Sequence, residues 1–283
     1  MQKQDIIHPF QIATWNVNFR RASVLEALTT LHHVPDILTL QEVTVEQADA
    51  FRERLREMGL LYVLYSGRAA RTEKRYGNLI ASRWPVESVD AGSLKAAFPW
   101  PQLVAYAVIK MAGCPVHVIT AHVPNGAGNG WAKIDTFRAL AKIVRGAKGS
   151  PCILTGDFNE PQFAIEGNRI VTFGQEPTPN GKYRCWNQWS FKGRSGTGEE
   201  WDSAVRWFFE DREDHGLRHA FWEAAGPGTM APSHISRGNP RWFDHIFISG
   251  GFQVESCDYL HDVRLKGFSD HSALLAQVAY RDE

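Results

Sequence analysis

Apolar and polar positions alternate along this chain in short blocks. Runs rich in Val, Ile, Leu, Phe and Tyr, bounded by turn residues, predict strands at FQIATWNV, DILTLQEV, LLYVLYS, GNLIASR, LVAYAVIK and PVHVITAHV. The same pattern recurs in PCILTGDF, FDHIFIS, FQVESCDYL and SALLAQVAY. Leu, Phe, Ile and Ala at three- and four-residue steps predict helices from Ala22 to His32, Val45 to Met58 and Lys133 to Val144. Strands interleaved with amphipathic stretches are an α/β signature. So many strands beside so few helices exceed one comfortable open sheet. The predicted architecture is therefore one domain, residues 1–283, of two packed mixed sheets flanked by helices. Two segments resist assignment: the Gly-rich PNGAGNG at 124–130, and 172–200, which is rich in Gly, Trp and Thr. Irregular stretches of that kind inside a domain are usually functional or disordered.

Composition narrows the possibilities. With 43% hydrophobic and 22% charged residues, the chain is neither disordered, collagenous nor a coiled coil. Its 31 basic side chains balance 31 acidic ones, so no global positive field exists and any nucleic-acid contact must rest on local patches. Cys114, Cys152, Cys185 and Cys257 have no CxxC spacing and read as reduced core thiols. No leader-like start and no bilayer-length apolar run is present, so a cytoplasmic protein without membrane insertion is expected.

Polar residues sit at the ends of the predicted strands, where such folds assemble their sites. Asn16 ends ATWN, Glu42 ends LTLQE, His122 ends ITAH, and Asp157 and Asn159 close CILTGDFN. Asp244 lies in RWFDHIF, and Asp270 with His271 opens the last strand. Each alone reads as a turn former, a cap or a satisfied buried histidine. Their order carries more: NVN, QEV, AHVPNG, GDFN, FDHIF and SDHS follow one another at strand ends.

This ordered set resembles the endonuclease/exonuclease/phosphatase superfamily, whose members share a deoxyribonuclease-I-like four-layer α/β sandwich. YGNLIASRWPV and SDHSALLAQV are similar to two further family motifs, and the likeness runs from about Ile12 to Val278. The chemistry agrees. Four carboxylates converging at one mouth, Glu42, Asp157, Asp244 and Asp270, would repel one another unless a cation intervened. A hard divalent ion, Mg²⁺ or Mn²⁺, held by Glu42 with Asn16 and Asp270, is the expected resolution. Zinc is disfavoured by the absence of a cysteine pair and of a HExxH helix. The resemblance implies the remaining roles: His271 as phosphate contact, oriented by Asp244; Asp157 on the attacking water; Asn159 on the transition state; His122 as second phosphate contact or leaving-group acid.

Branches resembling exonuclease III and the abasic-site endonucleases place Tyr near the position of His122 and Thr-Lys after the first Glu. This chain reads QEVT and AHVPNG, nearer in type to the deoxyribonuclease I, sphingomyelinase and phosphatase branches. Glu73 is the nearest candidate to back His122. Two basic patches bear on the substrate. KYRCWNQWSFKGR at 182–194 interleaves Arg184 with Trp186 and Trp189, suited either to stacking on bases or to a packed lid. Arg68, Arg71, Lys74 and Arg75 surround Glu73, suited to phosphates or to a solvated loop. The acid-rich 199–214 reads as an exposed helix face with Trp207, Phe208 and Phe209 on its buried side. The expectation is a monomeric, metal-dependent nuclease or phosphodiesterase acting on nucleic acid. The alternatives are a phosphatase or phosphodiesterase for a small or lipid-headgroup phosphate ester, and a non-catalytic module, which would require a lost ligand where none is lost.

Overall fold

The computed structural model describes residues 6–30, 34–67, 75–90, 97–111, 114–165 and 169–281. Two six-stranded mixed sheets pack face to face. The first runs in the order Phe252–Leu260, Ala273–Arg281, Ile6–Asn16, Ile37–Thr44, Tyr76–Ser82, Tyr62–Tyr65. The second runs Leu217–His219, Asp244–Ser249, Cys152–Asp157, Cys114–His122, Val104–Met111, Val86–Ser88. Each sheet has a parallel pair at its centre, and a parallel pair needs a crossover. The helices Ala22–Thr30 and Ala132–Ala147 supply those crossovers.

Side-chain parity divides the layers. Along the first strand, Phe10 and Ile12 face the opposing sheet, while Ala13 and Trp15 face the helices Ala22–Thr30 and Ala48–Glu57. On the far side, Ala132–Ala147 and Gly198–Glu210 pack Phe137, Leu140, Val205 and Phe208 against the second sheet. The result is helix, sheet, sheet, helix. In Gly198–Glu210, Thr197 accepts a hydrogen bond from the Glu200 N–H, and Glu199 and Glu200 lie at the positive end of the helix dipole. Trp207, Phe208 and Phe209 are its buried side, as the acid-rich pattern predicts.

Between the sheets, polarity rises toward one end. In the second sheet, Val118, Ile153 and Ile248 form one inward row, Thr120, Thr155 and Ile246 the next, and His122, Asp157 and Asp244 the last. The first sheet repeats the gradient, from Ile12 beside Ile37 through Thr14 beside Thr39 to Asn16 beside Gln41. Thr39 Oγ1 meets Thr155 Oγ1 at 2.9 Å, and Gln41 Nε2 donates to both Thr14 and Thr120 at 3.0 Å. Buried polar groups are stable only when so paired. The seam leads from the apolar core to the polar mouth with most of these groups paired; the buried Gln41 Oε1 is left without a hydrogen bond.

All ten predicted strands are present. The predicted helices are observed as Ala22–Thr30, Ala48–Glu57 and Ala132–Ala147, with 31–33 outside the described residues. Two loop expectations need correction. PNGAGNG contains a helical turn, Gly126–Asn129, capped by Asn125, whose side chain accepts from the Gly128 N–H at 2.9 Å. Residues 172–200 hold two hairpins, Gln175–Pro177 with Tyr183–Cys185 and Trp189–Phe191 with Arg194–Gly196. Three-residue strands are too short for alternation to reveal them. Arg68, Arg71, Glu73 and Lys74 lie outside the described residues. Among the described residues no helix is long and apolar enough to cross a membrane.

Candidate active site

Register brings the strand-end residues together. His122, Asp157 and Asp244 are lateral neighbours on three adjacent strands, so their side chains share the inner face. Asn16, at the facing edge of the first sheet, donates from Nδ2 to Asp157 Oδ2 at 2.8 Å and thereby ties the two sheets at the mouth. Its Oδ1 accepts from the Asn18 N–H at 2.9 Å, which fixes the amide's orientation.

Glu42 reaches the mouth through a bulge. Pairing with Tyr76–Ser82 slips by one residue between Leu40 and Val43, and Glu42 has φ 61°. Leu38, Leu40 and Val43 all face the helices, so strict alternation is broken between 40 and 43. Simple alternation would turn Glu42 toward the helices as well; the bulge re-aims it inward beside Gln41. Its carboxylate lies 3.4 Å from His122 Nε2.

The turn 269–271 is clamped from both sheets. Ser269 Oγ donates to the Asn16 carbonyl at 2.7 Å and accepts from the His271 N–H at 3.2 Å, and Trp15 Nε1 donates to the His271 carbonyl at 3.1 Å. His271 Nδ1 then meets Asp244 Oδ2 at 2.8 Å, leaving Nε2 3.8 Å from Asp157 Oδ2. Burial alone would lower the imidazole's pKa. The Asp244, Asp157 and Asp270 carboxylates outweigh it and lift the pKa to about 10. Asp270 is half exposed; burial pushes it up, but hydrogen bonding to His234 and the charge of His271 hold it down at about 2.

The segment after Asp157 folds back on that carboxylate. Gly156 has φ 136°, and a Cβ there would lie 1.9 Å from the Ala121 carbonyl oxygen, so only glycine fits before Asp157. Asn159, at φ 50°, donates its N–H to Asp157 Oδ1 at 2.8 Å and its amide to the Val123 carbonyl at 3.0 Å. Beneath it lies a fully buried ion pair: Lys133 Nζ is 3.1 Å from Glu160 Oε1 and donates to the Asn159 carbonyl at 2.6 Å. Burial lowers the lysine and raises the glutamate from their usual ranges, and their contact opposes both shifts. Trp201 Nε1, at 2.7 Å, and the Phe173 N–H complete the shell around Glu160.

The mouth opens into a cleft of about 1030 Å³. Glu42, His122, Asp157, Asn159 and His271 line its floor, and Trp186 and Trp189 line one wall. Both tryptophans are half-buried against Trp131 and Trp201, and Trp186 Nε1 donates to the Phe173 carbonyl at 2.9 Å. They are at once packed and exposed to the cleft. Arg184 and Arg75 are not in that lining: Arg184 pairs with Glu176 at 2.9 Å, and Arg75 pairs with Glu46. Sequence reasoning passed over His234, whose ring lies 4.6 Å from that of His271 and whose Nε2 is 3.5 Å from Asp270. It also passed over Tyr76, beside His122, and the Lys133–Glu160 pair. A signal for Lys133 existed, since it shares a helix face with Phe137, Leu140 and Val144, where a cation needs a buried partner.

The electrostatics fit a cation. Burial first, then the neighbouring Asp157 and Asp270 carboxylates, raise Glu42 to about 7, with His271 and an Asn16 hydrogen bond opposing. A carboxylate so destabilised by like charge, with oxygen donors around it, suits a hard divalent ion.

Comparison with known proteins agrees with this geometry. Residues 13–271 match the model of the Endonuclease/Exonuclease/phosphatase family. The fold is shared with the 3′ phosphatase NExo from Neisseria bound to product DNA hairpin, at 23% identity and a TM-score of 0.64, covering 94% of this chain and 98% of that one. It is shared too with an AP endonuclease from Archaeoglobus fulgidus, at 20% identity, TM-score 0.65 and coverage of 94% and 98%. A third is D. rerio TDP2 complexed with single strand DNA product, at 13% identity, TM-score 0.63 and coverage of 96% and 99%. No curated protein sequence matches. The family match over nearly the whole chain, on two sheets whose polar edges meet in carboxylates and histidines, means that this chain belongs to the endonuclease/exonuclease/phosphatase family and is a phosphoric ester hydrolase.

Proposed function

We propose that this hydrolase is a divalent-metal-dependent nuclease or phosphodiesterase that cleaves phosphodiester bonds of nucleic acid, with the whole chain acting as one domain. The observation that carries the reading is the alignment of His122, Asp157 and Asp244 across three strands, with His271 held on Asp244 beside them. Glu42, with Asn16 and Asp270, would hold Mg²⁺ or Mn²⁺, which supplies positive charge for a phosphate oxygen.

The chain's own groups do the rest. His271, kept protonated by Asp244, donates from Nε2 to a phosphate oxygen. Asp157 Oδ2, already an acceptor for Asn16, orients the attacking water and takes its proton. Asn159 presents its amide to the developing charge of the transition state, and His122 contacts the phosphate or protonates the leaving oxygen. Such acid–base assistance contributes roughly 10²- to 10⁴-fold.

The aromatic wall of the cleft and the DNA-bound state of two structures of like fold support nucleic acid over a small ester. Likeness to an AP endonuclease is one of fold; QEVT and His122 support no strong preference for an abasic duplex over an intact strand. The test is hydrolysis, with Mg²⁺ or Mn²⁺, of single-stranded DNA, duplex DNA, RNA, an abasic duplex, a chromogenic diester and a phosphomonoester. Turnover of the last two alone would favour the small-ester alternative.

A further inference from the structure

Arg184 and Arg75, picked out by pattern, each pair with a carboxylate. Two other arginines line the cleft. Arg237 and Arg241 belong to the hairpin His234–Ser236 with Asn239–Arg241, and among the described residues neither has a carboxylate partner. Arg241 lies over the Phe173 ring at 5.5 Å, and Arg237 is exposed at the turn.

The hairpin is built to present one face. In its register His234 opposes Arg241 and Ser236 opposes Asn239, and opposed residues of an antiparallel pair share a face. Those four line the cleft, whereas Ile235, on the other face, is 40% exposed to solvent. Its base is fixed to the reaction centre. Ser233 Oγ accepts from the Asp244 N–H at 3.2 Å, the Ser233 carbonyl accepts from the Ser272 N–H at 2.8 Å, and His234 bridges to His271. Arg237 and Gly238 both have positive φ, 47° and 80°, the geometry of a tight two-residue turn that holds the finger rigid.

We propose that this hairpin is the enzyme's second phosphate-binding element: Arg241, with Arg237 at the tip, holds the phosphate next to the scissile one along a nucleic-acid strand. The proposal rests on the nucleic-acid reading above and extends it. A planar guanidinium presents paired donors to a phosphate, and an arginine with no carboxylate partner gives up none to bind it. Trp186 and Trp189 line the same cleft, next to Phe173, where they accept the intervening base. A strand is thus held by charge and by apolar surface within one cleft, and the reacting phosphate is set over Asp157 and His271.

The test is binding of a single-stranded oligonucleotide in EDTA, by fluorescence anisotropy over a range of salt, to wild type, Arg241→Ala, Arg237→Ala and Arg241→Lys. Each alanine variant should flatten the slope of log Kd against log salt by about 0.7 unit, the value for one phosphate contact on a single strand. The lysine variant should restore the slope, though not the full affinity. With metal, the ratio of kcat/KM for the oligonucleotide to that for a small chromogenic diester should fall about tenfold in Arg241→Ala, at an unaltered melting temperature. Wild-type slope and ratio in both alanine variants would overturn the hairpin's role while leaving the nucleic-acid reading intact. A wild-type protein that cleaves the small diester but neither binds nor cuts the oligonucleotide would overturn both.

Discussion

His271 Nδ1 lies 2.8 Å from Asp244 Oδ2, and this contact joins the turn before Ala273–Arg281 of the first sheet to Asp244–Ser249 of the second. It sets the tautomer and charge of the imidazole whose Nε2 faces the cleft. Asp244→Asn should therefore leave the fold intact but lower kcat roughly 10²- to 10⁴-fold, with a smaller effect on KM. Steady-state kinetics on an oligonucleotide checks this. A rate within about threefold of wild type would mean that His271 needs no carboxylate at its back.

Glu42 is held where function needs it and stability does not. Burial and two neighbouring carboxylates oppose its charge, and its backbone sits at φ 61°. Glu42→Gln removes the repulsion, so in EDTA the variant should melt higher than wild type, by about 2–4 °C for each ~1 kcal/mol gained. With Mg²⁺ its activity should drop roughly 10²- to 10³-fold. Calorimetry in EDTA is the check, and a lower melting temperature would contradict the repulsion.

Much of this was legible in the chain. Most of the ten strands announced themselves because they are deeply buried, and the six motifs because each stands at an end or the start of such a strand. Glu42 was legible as a site residue but its bulge was not, since the only trace is one apolar step of three, from Leu40 to Val43, which does not show which residue is re-aimed. The short hairpins were missed for lack of length, and with them His234, Arg237 and Arg241. Arg184 and Arg75 drew notice by charge alone; their partners, Glu176 and Glu46, are cross-strand or distant in sequence, which composition does not show.

Lys133 and Glu160 support the Asp157–Asn159 turn from below. Lys133→Met would leave a buried carboxylate without its counter-ion, which costs about 3–5 kcal/mol. The double variant Lys133→Met/Glu160→Gln should recover part of that loss. Urea midpoints of wild type, single and double variants test the coupling. Equal losses in the single and double variants would show that the pair acts independently of charge.

His219 and His245 form a buried relay behind the site. His245 Nε2 donates to the Glu160 carbonyl at 2.8 Å, and its Nδ1 accepts from His219 Nε2 at 2.9 Å. His219 Nδ1 in turn accepts from the Trp222 N–H at 3.3 Å, so both rings are neutral in one consistent set of tautomers. Burial lowers His245 to about 3; His219 is also held low, by burial, then by His245 and Arg212. Folded pKa values below the unfolded ones mean that stability falls as pH drops below about 6.5, by about 2 kcal/mol at pH 5 for His245. Side-chain NMR should find both rings neutral at pH 5. Titration of either near 6.5 with the fold intact would contradict the arrangement.

Metal-dependent cleavage of nucleic acid at the Asp157 mouth can be tested in one time course. Wild type and Asp157→Asn are incubated with an end-labelled oligonucleotide and Mg²⁺ or Mn²⁺, with EDTA as control, and products are resolved by length. Wild type should cleave with metal and not in EDTA, and Asp157→Asn should lose roughly 10²-fold or more at unchanged secondary structure. Undiminished cleavage in EDTA, or by Asp157→Asn, would contradict it.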